Sequence, residues 1–139
     1  MIHTTPYRSF PTGITASANN RHEYIRWSSK RGRYIIEDDF ESEFSVSTKS
    51  EETLFSLSKY DNVIYMNTFS KTISPALRIA YMVLPATLVP EFESRLGFYS
   101  CTVPTFEQYV LAELINSGDF ERHINRVRRM KRKMQQLEK

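Results

Sequence analysis

The sequence predicts an α/β fold, and two observations carry that expectation. Short runs rich in apolar, β-branched and aromatic residues, such as Tyr34-Ile35-Ile36-Glu37 and Asn62-Val63-Ile64-Tyr65-Met66-Asn67, are bounded by turn-forming residues. Between and after them lie stretches whose apolar residues recur at three- and four-residue spacing, the period of a helix with one buried face.

Taken in order, residues 1–5 read as a short strand, and Pro11 to Gly13 as a turn. Asn19 or Asn20 can cap a helix that runs to about Arg31 and is ended by Gly32, with Tyr24, Ile25 and Trp27 set against a sheet. Strands follow at 34–37, 62–67 and 79–84, each short and apolar as buried strands are. Ser45 to Lys59 is polar and serine-rich and reads as a surface connection with one helical turn around Thr53 to Leu57. Three helices close the chain near 87–98, 105–116 and 119–137. Phe106, Tyr109, Val110 and Leu114 mark a buried face on the second, with Pro104 suited to its first turn and Gly118 to its end. Phe120, Ile124, Val127, Met130, Met134 and Leu137 form one stripe on the third, which promotes self-association wherever it is left uncovered.

Composition narrows the class. A quarter of the 139 residues are charged, and no apolar run reaches the length that spans a bilayer, so no membrane partner is expected. No basic start followed by an apolar block marks a signal peptide, and the single Cys101 excludes an internal disulfide framework, which suits a reducing cytoplasm. Cys101 has no nearby histidine and reads as a small buried or half-buried residue rather than a nucleophile. His3, His22 and His123 lack metal-ligand spacing, so no metal site is expected. The basic segment Arg122 to Lys133 could neutralise phosphates, but an apolar stripe ringed by cations is the ordinary pattern of a long surface helix, and no base-reading motif accompanies it.

The chemistry concentrates in two segments. Asn67-Thr68-Phe69-Ser70-Lys71 follows a strand-like run, and Arg78 lies seven residues after Lys71, beyond a turn containing Pro75. Asp38 ends the run Tyr34-Ile35-Ile36-Glu37, and the adjacent Asp39 should point the other way, because side chains alternate across a strand. An amine, two hydroxyls, a forked cation and a carboxylate are the set that pyridoxal 5'-phosphate requires. Lys71 would take the aldehyde, Thr68, Ser70 and Arg78 would hold the phosphate, and Asp38 would keep the pyridinium nitrogen protonated.

Three segments extend this into a resemblance over nearly the whole chain: Thr5 through Gly13, Ile35 through Phe44, and Asn67 through Tyr81. The chain resembles the central part of a fold type I aminotransferase domain, closest to the MocR/GabR group of GntR-type transcriptional regulators, in which a DNA-reading domain is fused to an aminotransferase-like one. The resemblance implies a partial three-layer sandwich with a mostly parallel sheet and flanking helices, in which residues 1–118 form part of the pyridoxal phosphate-binding large domain. Residues 119–139 are then a basic helix leading toward a small domain.

A full subunit of such a fold is roughly twice this length or more, so the chain is expected to be a fragment and inactive alone. Phe10 stands where ordinary relatives of the fold have an asparagine, which favours the regulators. Phe40 replaces a family tyrosine and with it a hydrogen bond to the cofactor, and Ala76 and Ala80 replace glycines. The implied partners are pyridoxal phosphate, an amino-acid-like effector or substrate, a second copy of the chain, and DNA through a domain outside it. An aminotransferase acting through Lys71 is the alternative reading.

Overall fold

The computed structural model describes residues 1–9, 11–39, 42–44 and 52–137. The described residues fall into two compact units, one holding residues 1–42 and 52–98 and the other 43–44 and 99–137. Phe10, Phe40 and most of the serine-rich connection lie outside the described residues.

In the first unit, β1 (Ile2–Thr4) leads through α1 (Ala18–Lys30) to β2 (Ile35–Asp39), and α2 (Leu54–Leu57) precedes β3 (Val63–Thr68). Helical crossovers let successive strands run the same way, and β1, β2 and β3 are parallel neighbours in that order. After the short α3 (Phe69–Thr72) the chain turns back, so β4 (Ala80–Val83) pairs antiparallel with β3 and makes the sheet mixed. A 3₁₀ turn at Ala86–Leu88 then enters α4 (Val89–Leu96), which divides the single helix expected at 87–98.

The local chemistry accounts for most boundaries. Ser17 rather than Asn19 or Asn20 caps α1: its extended backbone lets the hydroxyl oxygen accept the Asn20 N–H at 3.2 Å, which places both asparagines inside the first turn. At the other end Gly32 takes φ +54°, a left-handed conformation that carries no Cβ penalty in glycine. Thr53 caps α2 by accepting the Ser56 N–H at 3.0 Å, as its position before the expected helical turn requires.

The core of this unit joins Ile25 of α1, Ile35 of β2, Leu54 of α2 and Val63 of β3, with Tyr24 and Leu57 packed against it. Trp27 is only half-buried, and the Arg31 guanidinium lies 5.1 Å from its ring centroid. Burial alternates residue by residue along β2, the period of a strand with one covered face. The expectation of a buried strand at 79–84 fails: all four residues of β4 are exposed, because β4 is the edge of the four-stranded sheet. Tyr81 gains what cover it has from Phe69 and Tyr65, with ring centroids 5.2 and 6.1 Å away.

The second unit contains α5 (Thr105–Asn116) and α6 (Asp119–Leu137), separated at Gly118 with φ +75°. The buried face expected on α5 is not found, since Phe106, Tyr109 and Val110 are exposed and Leu114 is only half-buried. On α6 the stripe is covered in its first half alone: Ile124 is buried, Phe120 and Val127 are half-buried, and Met130, Met134 and Leu137 are exposed. At 12 residues α5 cannot cover the whole apolar stripe of the 19-residue α6. Phe44 is buried in this unit beneath the Lys131 ammonium, 4.5 Å from its ring centroid, and Arg128 Nε donates to the Glu43 carbonyl. Cys101 is exposed rather than buried, with Gln108 Nε2 3.7 Å from its sulfur. Among the described residues no helix is long and apolar enough to cross a membrane, and no cluster of three or more His, Cys, Asp or Glu is gathered as for a metal.

Candidate functional site

The register of the sheet sorts the acids and hydroxyls by face. Asp38 pairs with Met66 and Asp39 with Asn67, so Asp38, Met66 and Thr68 share one face while Glu37, Asp39, Tyr65 and Asn67 share the other. Both Asp38 and Thr68 stand at the carboxyl ends of parallel strands, where open α/β sheets bind their ligands.

Thr68 ends β3 and caps α3. Its hydroxyl accepts the Ser70 N–H at 3.1 Å and donates to the Ile79 carbonyl at 3.1 Å. Ser70 in turn donates to the Leu77 carbonyl at 2.6 Å. These bonds, with the Leu77 N–H donating to the Ser74 carbonyl at 3.0 Å, fold the segment after α3 back over its start. The return brings Arg78 Nη1 within 3.4 Å of the Ser70 hydroxyl. Thr68, Ser70 and Arg78 are therefore one hydrogen-bonded cluster, and Lys71 is exposed on the same short helix. Asp38 is half-exposed and is joined to His3 of β1, whose Nε2 lies 3.7 Å from its carboxylate, rather than to that cluster.

The opposite face carries a polar network absent from the sequence expectations. Asp39, fully buried, accepts from the Ser42 N–H at 3.0 Å, the Ser42 hydroxyl at 2.5 Å and the Tyr65 hydroxyl at 2.8 Å. Asn67 Nδ2 donates to the Tyr65 hydroxyl at 2.8 Å, and Asn67 Oδ1 accepts the Thr68 N–H at 2.6 Å. Burial pushes the Tyr65 phenol far above its ordinary pKa, with the Asn67 hydrogen bond acting in the opposite sense, so Tyr65 stays protonated and donates.

Glu37, also fully buried, accepts the Leu54 and Phe55 N–H groups at 2.7 and 2.9 Å and so holds the first turn of α2. Burial raises its carboxyl pKa, opposed by those two backbone bonds. Tyr7 donates to the Glu52 carbonyl at 2.6 Å, and Arg21 Nη1 reaches the same carbonyl at 2.9 Å. The signal for this network was present as Glu37, Asp39, Tyr65 and Asn67 at even spacing within strand-like runs. Polar residues on the period that buries a strand's neighbours require partners.

A mixed α/β sheet with a lysine-bearing helix after β3 and an acid-rich strand beside it is the arrangement that the resemblance implies. The chain belongs to the aminotransferase class I and II family, whose pattern matches residues 1–139. It is 37% identical to YdeL of Bacillus subtilis, an uncharacterized HTH-type transcriptional regulator, over 96% of this chain and 29% of YdeL. To MocR of Rhizobium meliloti, a probable rhizopine catabolism regulatory protein, it is 32% identical over 94% of this chain and 26% of MocR. Among solved structures, LysN of Thermus thermophilus, an α-aminoadipate aminotransferase complexed with N-(5'-phosphopyridoxyl)-L-leucine, superposes with a TM-score of 0.80 at 31% identity, over 94% of this chain and 34% of LysN. The chain thus spans about a third or less of the length of these proteins.

Proposed function

We propose that this chain is the central part of the aminotransferase-like effector domain of a MocR-type transcriptional regulator, and that it supplies most of the polar groups of a pyridoxal phosphate site. The observation that carries the reading is the cluster of Thr68, Ser70 and Arg78 at the end of β3, next to Lys71, with Thr68 on the sheet face of Asp38. Support for a regulator rather than an enzyme comes from the regulatory proteins YdeL and MocR, whose matches cover 94–96% of the chain.

The donor set fits the cofactor. Arg78 would give a phosphate a charge-assisted, forked contact, and the Ser70 and Thr68 hydroxyls would join it by turning their protons from the Leu77 and Ile79 carbonyls to the phosphate. Asp38 is half-exposed on the ligand face and would pair with the pyridinium nitrogen, while Asp39 is committed to Ser42 and Tyr65. The Lys71 amine would attach the aldehyde, and its place on a helix fixed by the Thr68 cap would orient it. When bound, the cofactor supplies an electron sink for bonds at the carbon bearing an amino group. In a regulator the same groups would sense an amino-acid-like effector, with DNA held by a separate domain and two copies of the chain in the working form.

The test uses the full-length protein. It should acquire a visible absorbance band with pyridoxal phosphate that Lys71→Ala abolishes, retard a duplex from its own promoter region, and show no sustained amino-group transfer. Many turnovers between amino and keto acids, without DNA retardation, would replace this reading with that of an aminotransferase.

A further inference from the structure

The network behind the sheet ties together the two strand ends that carry the proposed site. Asp39 follows Asp38 directly and is anchored to Ser42. Through the Tyr65 hydroxyl and Asn67 Nδ2 it is bonded to the side chain whose oxygen holds the Thr68 N–H. Thr68 in turn caps the helix bearing Ser70 and Lys71 and bonds the Ile79 carbonyl next to Arg78. Asp39 is fully buried, Asn67 is 3% exposed and Tyr65 is half-buried, so these bonds are partly shielded from water.

We propose that Tyr65 and Asn67 are positioning residues for the phosphate end of the pyridoxal phosphate site, acting through the Thr68 backbone. This rests on the reading of the pocket given above. Neither side chain shares the ligand face of the sheet, since both lie on the face of Asp39, so neither is assigned a contact with the cofactor. Their effect is on where the Thr68 and Ser70 hydroxyls stand. Tyr65→Phe removes one hydroxyl, leaves Asn67 Nδ2 without that acceptor, and leaves Asp39 without that donor, while keeping the ring beside Phe55 and Tyr81.

A role confined to folding would weaken binding of every ligand alike. A role in placing the phosphate contacts weakens only ligands that carry the phosphate. The experiment therefore compares equilibrium binding of pyridoxal phosphate and of phosphate-free pyridoxal to the full-length protein, in wild type, Tyr65→Phe, Asn67→Ala and the remote control Tyr34→Phe. The expected result is a loss of about tenfold in affinity for pyridoxal phosphate in both site variants, with pyridoxal affinity changed by less than about threefold and the control unchanged. Equal losses for the two ligands, or an unchanged phosphate preference in both variants, would overturn the inference and leave the pocket reading intact. A wild type that does not prefer pyridoxal phosphate to pyridoxal would overturn both. Should Tyr65→Phe not fold, Asn67→Ala decides the matter by the same ratio.

Discussion

Asp38 and Asp39 are neighbours in sequence and belong to different parts of the molecule. Asp39 is buried behind the sheet with three donors on its carboxylate, whereas Asp38 stands half-exposed on the other face, 3.7 Å from the exposed histidine His3. The period of two along β2 is what separates them. One strand end thus holds a buried acid with three hydrogen-bond donors and a half-exposed acid paired with His3, and only the second is proposed to face the cofactor. A register slip of one residue would exchange the two roles.

The largest effect should follow from emptying the sealed face. Asp39→Ala leaves the Ser42 N–H, the Ser42 hydroxyl and the Tyr65 hydroxyl without their acceptor, and should cost about 3 kcal/mol in a denaturant titration of the full-length protein. A loss no larger than that of Asp38→Ala would erase the distinction between the faces.

Glu37 sharpens the same contrast through pH. Its carboxyl pKa is raised by burial above the ordinary 4.5, so the folded state holds that proton more tightly than the unfolded state does. Its contribution to stability is therefore fully present below pH 4.5 and is lost as pH rises through the folded-state value. In Glu37→Gln that dependence should vanish, at a cost at pH 7 of about 1–3 kcal/mol, because the amide nitrogen cannot accept one of the two backbone N–H groups. The stability of wild type relative to Glu37→Gln, followed from pH 4 upward, should fall; a flat or rising difference would contradict the burial argument.

The smallest effect on stability belongs to the open face. Asp38→Asn should change stability by no more than about 0.5 kcal/mol, because an exposed pair with His3 contributes little. The same substitution should weaken pyridoxal phosphate binding by about tenfold or more, through loss of the charge facing the pyridinium. Destabilisation without weakened binding would place Asp38 with the structural acids.

Much of the fold was legible because local signals and tertiary packing agreed. Gly32 and Gly118 stopped helices where left-handed backbone was needed, and alternation along Ile35–Asp39 set the two acids apart. Legibility ended where burial depends on neighbours rather than on the segment itself. Ala80–Val83 has the composition of an inner strand but lies at the sheet edge, and the apolar face of α5 has the right spacing but little to pack on. Of the residues singled out by chemistry and order, Thr68, Ser70 and Arg78 are brought together beside Lys71, whereas Asp38 is paired with His3. The Asp39–Tyr65–Asn67 network showed in sequence only as even spacing of polar residues, which identifies a shared face but not its partners until the register pairs the strands.

We propose that Lys71 takes the aldehyde of pyridoxal phosphate. Borohydride reduction of the full-length protein with bound pyridoxal phosphate, followed by peptide mass mapping, tests this. A stable pyridoxyl label is expected on Lys71 and should be absent from Lys71→Ala. A label on another lysine, with Lys71 unmodified, would contradict it.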